Sequence, residues 1–131
     1  MDNIDPNGEV FKVVEQKPLF PGEGCGEMKT YEEQKACSDE AMLAYIYQRI
    51  AYPQEAKAQE REGTAVVSFI VEADGSMSDV RLVRDPGSEM GEVALAAVKQ
   101  MKTDGITWVP GIQKGKRVRV RFNLPVRFKL A

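Results

Sequence analysis

The last segment of the chain shows the clearest alternation of apolar and polar residues. From Val118 to Leu130 every second residue is apolar, and the residues between them are polar with the single exception of Pro125. This period of two predicts a β-strand with one buried and one solvated face. Such a strand would extend roughly 40 Å at ~3.3 Å per residue, whereas most strands contain ~5–6 residues. We therefore predict that part of it projects beyond the sheet or lies at an unpaired edge.

Pro125 supports the prediction of an edge strand. Proline cannot donate a hydrogen bond to a sheet ladder and is confined to edges, bulges and strand starts. At an edge, the backbone groups of the strand can pair with an incoming chain, and charged side chains such as Arg119 and Arg121 discourage self-pairing. These arginines would favour an acidic partner. The alternative, in which the arginines are simply a solvated strand face, stays equally open.

Upstream, apolar residues at helical spacing predict three helices. The first begins at Ser38, which can cap free amides and is followed by acids that suit the positive end of the helix dipole. Pro53 separates it from a second helix, which runs to Glu62 and stops at Gly63. The third helix ends near Gly105.

Three further segments contain the β-branched and aromatic residues that predict strands. Thr64 to Glu72 is partly apolar on both faces, which indicates a central strand. Asp74–Gly75 is a hairpin signal that leads into a return strand over Ser78 to Val83. A short strand is predicted within Val10 to Val14, and residues 1–10 are expected to form a frayed leader.

Composition and charge fit one domain with an interaction surface at its C-terminus. The chain has 131 residues, of which 43% are hydrophobic, and no stretch approaches the ~20 apolar residues that cross a bilayer. Its start has neither a basic region nor an apolar run, so a function outside the cytoplasm would make this chain a mature or excised piece. Residues 1–40 carry ten acids against four lysines, whereas residues 114–131 carry seven bases and no acid.

The residue types that usually support catalysis or metal binding are scarce. The chain has no histidine, which removes the usual general base and every Ser-His or Cys-His pair. Two cysteines, Cys25 and Cys37, cannot complete a standard four-ligand zinc site without carboxylates. We therefore expect no enzyme activity, no cofactor and no metal. The cysteines lie in a predicted loop. They would form a disulfide in an oxidising compartment, whereas in a reducing compartment they would be two small buried residues.

Five short motifs follow one another over about residues 49–130. They are Tyr52-Pro53-Gln54-Glu55-Ala56, Glu62-Gly63-Thr64-Ala65-Val66-Val67-Ser68-Phe69, Asp74-Gly75, Trp108-Val109-Pro110-Gly111 and Val118-Arg119-Val120-Arg121-Phe122. In this order and at these intervals they resemble the TonB C-terminal domain family. Upstream, Val10 to Glu15 and Phe20-Pro21-Gly22 resemble the Bacteroidetes-type members, in which a pair like Cys25 and Cys37 recurs.

The resemblance implies an α+β fold in which helices pack on one face of an antiparallel three-stranded sheet. It also implies an N-terminal extension with a short strand and a cysteine-containing loop. We accordingly expect the extension to comprise residues 1–37 and the TonB-like domain residues 38–131. A disulfide between Cys25 and Cys37 is the expected bond within this arrangement.

The resemblance further implies a function and a site. Family members link the inner-membrane, proton-driven ExbB-ExbD-type motor, which they contact through an N-terminal part absent here, to TonB-dependent outer-membrane transporters. In the periplasm, the domain binds the TonB-box peptide of the transporter as an added strand. Proline at Val120 or Phe122 is therefore predicted to weaken binding. The residues implied to contact the peptide are Val118, Arg119, Val120, Arg121, Phe122, Asn123 and Leu124, with Tyr52 and with Arg49, which stands where enteric members have a glutamine.

Two other functions remain as alternatives. A TonB-like sensor or regulatory module of a membrane metalloprotease or receptor would use the same fold for a different ligand. A homotypic assembly domain would pair the long strand with its own copy and form a homodimer. Nucleic acid is not an expected partner, because the net charge is −2 and no aromatic residues are interleaved among the bases in the pattern of a nucleic-acid surface.

Overall fold

The computed structural model describes residues 3–130, whose strands form one five-stranded sheet. The last strand is central: its neighbour in the sheet pairs with it antiparallel, without a break, from Val71↔Val120 to Gly63↔Phe128. The strands are β1 (Val10–Phe11), β2 (Gly63–Val71), β3 (Met77–Arg84), β4 (Gly111–Gln113) and β5 (Lys116–Phe128). The order across the sheet is β1-β5-β2-β3, and β4 pairs with the start of β5.

The α+β prediction is confirmed, but the sheet is mixed and larger than the three antiparallel strands expected. Those three are β2, β3 and β5, and β2 is the predicted central strand with both faces largely buried. β1 adds to β5 in the parallel direction. This parallel strand arises because the N-terminal extension folds back onto β5, and the other additional strand is β4, which pairs with β5 antiparallel. Residues 3–10 are therefore not a frayed leader, and residues 1–2 lie outside the described residues.

Three helices accompany the sheet: α1 (Tyr31–Arg49), α2 (Gln54–Ala58) and α3 (Met90–Thr103). The prediction that the first helix starts at Ser38 is wrong. Thr30 caps α1 instead, through a capping box in which the Glu33 amide donates to Thr30 Oγ1 and Glu33 Oε1 accepts from the Thr30 amide. The second helix also ends earlier than predicted, at Ala58.

Helices α1 and α3 contribute to one core on a single face of the sheet. Alternate residues of β5 from Val118 to Phe128 are almost fully buried, except for the half-buried Phe122, as the period of two predicts. The core is rich in aromatic contacts around Trp108, whose ring lies 5.2–5.6 Å from three others. Those rings belong to Phe20, Phe69 and Phe122.

Phe20 is only 6% exposed, so the N-terminal extension supplies part of this core. The carbonyl of Phe20 accepts a hydrogen bond of 2.7 Å from the hydroxyl of Ser38, a buried residue of α1. Cys25 lies in a short 3-10 turn, and Cys37 lies in α1 rather than in the predicted loop. Their Cα atoms are 5.5 Å apart, a distance that suits a disulfide. Helix α1 spans the expected boundary between residues 37 and 38.

The two predicted chain reversals are present. Gly75 has a φ of +88°, and the Asp74 carboxylate accepts a hydrogen bond from the Ser76 amide, so the turn signal does join β2 to β3. Gly105, with a φ of +73°, follows the end of α3. Within residues 3–130, no helix has the length and apolar character needed to span a bilayer.

Candidate strand-pairing edge

The direction of the backbone groups along β5 decides which residues can pair with another chain. The backbone N–H of Arg127 donates 3.0 Å to Tyr47 Oη, on the side that faces away from β2. Ten residues earlier, the N–H and C=O of Arg117 bond to Asn3 and Asp5, which also lie away from β2. Backbone groups alternate in direction along a strand. The backbone N–H and C=O groups of the odd-numbered residues from 117 to 127 therefore point away from β2. We call this side of the strand the outer side of β5.

Pro125 belongs to this outward-facing set, so its missing N–H falls on the outer side. It stands opposite Val66 in the unbroken register with β2. The proline thus removes no bond from the β2–β5 ladder. This explains how a proline is accommodated in a central strand, a position where it is normally excluded.

The first part of the outer side is already paired, contrary to the expectation of an unpaired edge. Ile4 pairs in parallel with Arg117, and Val10 and Phe11 of β1 lie in register with Arg119 and Val120. The extension therefore covers β5 as far as Val120. Three of the residues implied to bind the partner, Val118 to Val120, lie in the covered part.

The remainder of the outer side is open. Among residues 3–130, no strand pairs with the outer side from Arg121 to Val126, which we call the edge window. Asn123 is exposed at its centre. Asn123 directs its N–H and C=O outward there, whereas Phe122 and Leu124 direct theirs toward β2. The C=O of Arg121 is also open, but its N–H faces Phe11 in the β1–β5 pairing. Proline at Val120 or Phe122 would therefore disrupt the β2–β5 ladder rather than a partner contact.

Helix α1 lies along the edge window. Its Lys35 Nζ lies 5.9 Å from the centre of the Phe122 ring, and its Tyr47 caps Arg127 at the far end. Between them Leu43, like Tyr47, leaves an apolar surface exposed, by 39% and 42% respectively. Lys35, Leu43 and Tyr47 lie on one helix face at multiples of four residues. The edge window is thus bordered by a partly apolar helix face.

Clefts mark both ends of the edge window. The cleft beside β1 has a volume of about 250 Å³ and is lined by Lys12, Lys17, Lys35 and residues 120–123 among others. The cleft at the other end has a volume of about 430 Å³, with Tyr47, Tyr52 and Phe128 as aromatic walls and Arg127 and Lys129 as bases. An extended segment along the edge window would meet lysines at one end and aromatic rings at the other.

Arg119 and Arg121 are engaged within their own sheet. Arg119 Nε lies 2.6 Å from Glu72 Oε1, and Arg121 Nη2 lies 2.6 Å from Asp79 Oδ2. Hydrogen bonds from Arg119, assisted by Ser78, hold the pKa of Glu72 below its usual value. Hydrogen bonds from Arg81 and Arg121 do the same for the pKa of Asp79. These two arginines are therefore balanced by Glu72, which directly follows β2, and by Asp79 of β3.

Arg49 and Tyr52 have partners within the chain as well. The Arg49 guanidinium lies 3.6 Å from the centre of the Tyr45 ring and 3.7 Å from Asp104 Oδ2. The Tyr52 hydroxyl donates to the carbonyl of Arg61, and its ring meets that of Phe128 edge-on at 5.8 Å. Tyr52 thus lies by the cleft at the C-terminal end of β5, whereas Val118 lies at the other end of the strand.

The sequence did not identify Tyr47 or the N-terminal pairing as parts of this edge. Tyr47 continues the four-residue spacing from Lys35 through Leu43, which was a usable signal for a helix face. The pairing of residues 3–11 with β5 had only a weak signal, namely acids at one end of the chain and bases at the other. That asymmetry gives neither register nor direction.

Comparisons with known proteins match this chain to one family. Residues 48–130 match the model of the family described as Gram-negative bacterial TonB protein C-terminal. The protein TonB of Vibrio cholerae serotype O1 is 34% identical over 80 residues, which cover 60% of this chain but only 31% of that relative. The solution structure of the Helicobacter pylori TonB C-terminal domain covers 84% of this chain and 92% of its own, with a TM-score of 0.54 at 21% identity. This likeness shows a shared fold.

Proposed function

Because this chain belongs to the family of Gram-negative bacterial TonB protein C-terminal domains, we propose that it is the periplasmic domain of a TonB-type energy transducer. In this proposal it is not an enzyme. It binds the TonB-box peptide of TonB-dependent outer-membrane transporters by strand addition. The rest of the protein, which would anchor it in the inner membrane, contacts the ExbB-ExbD-type motor. The chain spans about a third of its curated relative, so these whole-protein functions are part of the proposal.

The edge window is the observation that carries the proposal. A strand edge binds an extended peptide through main-chain hydrogen bonds, and neighbouring pockets select its side chains. Asn123 and the carbonyls of Arg121 and Pro125 supply the open outward-facing groups. Val118, Val120 and Leu124 are at most 3% exposed, so they support the strand from the core rather than contact a peptide.

Charge supports an acidic peptide. Lys12, Lys17 and Lys35 line one end of the edge window, and Arg127 and Lys129 line the other. Such bases steer a charged partner and mainly affect its association rate. Replacing Arg119 or Arg121, in contrast, would also disturb Glu72 or Asp79. Arg127→Gln is a better probe of steering.

Asn123→Pro tests the strand addition. It removes an outward N–H from the middle of the edge window, so we expect it to weaken binding of an acidic, valine-rich TonB-box peptide at least tenfold, because one main-chain bond is lost and the peptide must shift. Isothermal titration calorimetry measures the affinity. Changes in the backbone amide chemical shifts of residues 121–126 show where the peptide binds. The matched control Asn123→Ala keeps the N–H and should bind like the wild type.

Two outcomes would contradict the proposal. One is equal binding by Asn123→Pro and Asn123→Ala, provided that both fold. The other is a peptide that shifts a different surface and leaves residues 121–126 unchanged. Sedimentation of the free chain tests the homotypic alternative, which requires a dimer at high concentration.

A further inference from the structure

We propose that residues 3–11 form a displaceable internal strand that competes with the partner strand for the outer side of β5. This inference rests on the proposed function of the edge window. It adds a control step, in which the extension limits how much of β5 a partner can pair with. A partner of sufficient length would have to remove this segment to engage β5 beyond the edge window.

The segment lies where a longer partner strand would have to pair. Its amide at Asp5 donates 2.9 Å to the carbonyl of Arg117, and the Arg117 amide donates 2.6 Å to the carbonyl of Asn3. β1 then runs parallel to β5 at Arg119 and Val120, immediately before the edge window. The same outward-facing groups cannot bond to two strands at once. Occupancy by residues 3–11 and by a long partner is therefore mutually exclusive.

The edge window alone offers a partner few bonds. Arg121, Asn123 and Pro125 face outward there, and Pro125 lacks an N–H. The Arg127 amide is already bonded to Tyr47 Oη. Release of residues 3–11 would expose the groups of Arg117 and Arg119 and lengthen the available ladder. A partner strand thus gains main-chain bonds by displacing the segment.

Few apolar contacts hold the segment. β1 contains only two residues, both half-buried, and a turn around Gly8 (φ +67°) separates it from the pairing at Ile4. Arg119 Nη1 donates a hydrogen bond of 2.8 Å to the carbonyl of Gly8. Ile4 is 41% exposed, and Val13, two residues after the segment, is 84% exposed. Short strands with exposed backbone bonds and few buried side chains are the parts of a fold that open first.

The chain beyond the segment is firmly anchored, so release would be local. Gln16 exchanges backbone hydrogen bonds with Ile112, and Leu19 does so with Val109. Leu19 and Phe20 are less than 10% exposed. The displaced segment would therefore stay tethered at Gln16 and remain able to rebind. Its acids, Asp5 and Glu9, give it the same charge as the acidic partner that the bases along β5 favour.

Hydrogen exchange with and without saturating TonB-box peptide tests the displacement in the wild-type chain. We expect the amide of Asn123 to gain protection while those of Asp5 and Phe11 lose it. Protection gained in the edge window with no loss at residues 3–11 would overturn the displacement and leave the proposed function standing. No change in the edge window would overturn the proposed function itself.

A pair of proline variants tests the competition by affinity. Phe11→Pro removes an N–H within β1 and should release the segment, which raises the fraction of molecules that can bind the peptide. If the segment is paired with β5 in about nine-tenths of the wild-type molecules, peptide binding should tighten roughly tenfold. Val13→Pro, two residues after the segment and outside the β1–β5 pairing, is the matched control and should bind like the wild type. Equal affinities of Phe11→Pro and Val13→Pro would contradict the proposal.

Discussion

At the residue scale, two side chains limit the outer side of β5. Pro125 removes one donor, and Tyr47 Oη accepts the N–H of Arg127. Unpaired donors at an exposed edge favour pairing with other copies of a chain, and proline is a common protection against it. The unpaired backbone groups of β5 are therefore confined to a short stretch whose far end is blocked.

Ser38 is the buried polar residue that joins the extension to α1. Ser38→Ala would leave the carbonyl of Phe20 without its 2.7 Å hydrogen bond in a buried position. We expect the free energy of unfolding to fall by about 1–3 kcal/mol. Urea denaturation, monitored by Trp108 fluorescence, measures this change in the free energy of unfolding. Thr103→Ala, which removes an exposed helix hydroxyl, is the control and should change the stability by less than about 0.5 kcal/mol.

Glu72 predicts an acid dependence of stability. Arg119 holds the pKa of Glu72 below its usual value, so the ionised carboxylate stabilises the fold above the unfolded pKa and loses this effect as the pH falls through the folded pKa. Glu72→Gln should lower the free energy of unfolding by roughly 1 kcal/mol at pH 7. Its difference from the wild type should shrink from about pH 4.5 downward. Denaturation at several pH values, with the exposed Glu40→Gln as control, measures this; a constant difference would contradict it.

At the element scale, α1 connects the parts of the domain. Its N-terminal half lies against the extension through Ser38 and Cys37, and its C-terminal half reaches the end of β5 through Tyr47. The helix therefore positions both the extension and the far end of the edge window. A change in how α1 is held would affect both ends of the site.

The Cys25–Cys37 pair fixes the start of α1 to the loop before it. The two residues are 12 positions apart, and we expect an oxidised pair to stabilise the chain by about 2–4 kcal/mol, because it restricts the unfolded state. Thermal unfolding with and without reductant measures this. A double Cys25→Ser, Cys37→Ser variant should show no response to reductant. Two titratable thiols in the unreduced native protein would contradict the bond.

At the scale of the whole molecule, the acidic N-terminal part lies against the basic C-terminal strand. Residues 3–11 pair with β5, and Phe20 enters the core of the TonB-like part. The acids of the N-terminal part and the bases of the C-terminal strand therefore lie close together within the chain. Of the bases at the ends of the edge window, Lys35 pairs with Asp39, whereas Lys12, Lys17, Arg127 and Lys129 line the two clefts.

Phe20 predicts that the extension and the rest of the chain unfold together. Phe20→Ala would create a cavity beside Trp108 and should cost about 3–5 kcal/mol. Trp108 fluorescence and far-UV circular dichroism should report one coincident transition in the wild type. Two separate transitions would instead support the expected division at residues 37 and 38. Val13→Ala, at a residue that is 84% exposed, is the control with little expected effect.

The sequence by itself determined the elements whose signals are local. The period of two in β5, the Asp74–Gly75 turn and the glycine after α3 each depend on a few neighbouring residues, and all three are present. Helix boundaries were less certain, because Ser38 and Thr30 are both acceptable caps. Burial decided between them: Ser38 is 1% exposed and bonds to Phe20, whereas Thr30 is free to cap.

The tertiary structure alone decided which part of β5 is open. Alternation shows that a strand has two faces, but it does not show which neighbours occupy its two edges. Residues 3–11 reach Arg117 to Val120 across more than a hundred positions of sequence, in a parallel direction that no local signal specifies. Backbone direction is likewise set by register with β2, which is why Asn123 rather than Val120 or Phe122 directs its backbone groups to the open side of β5.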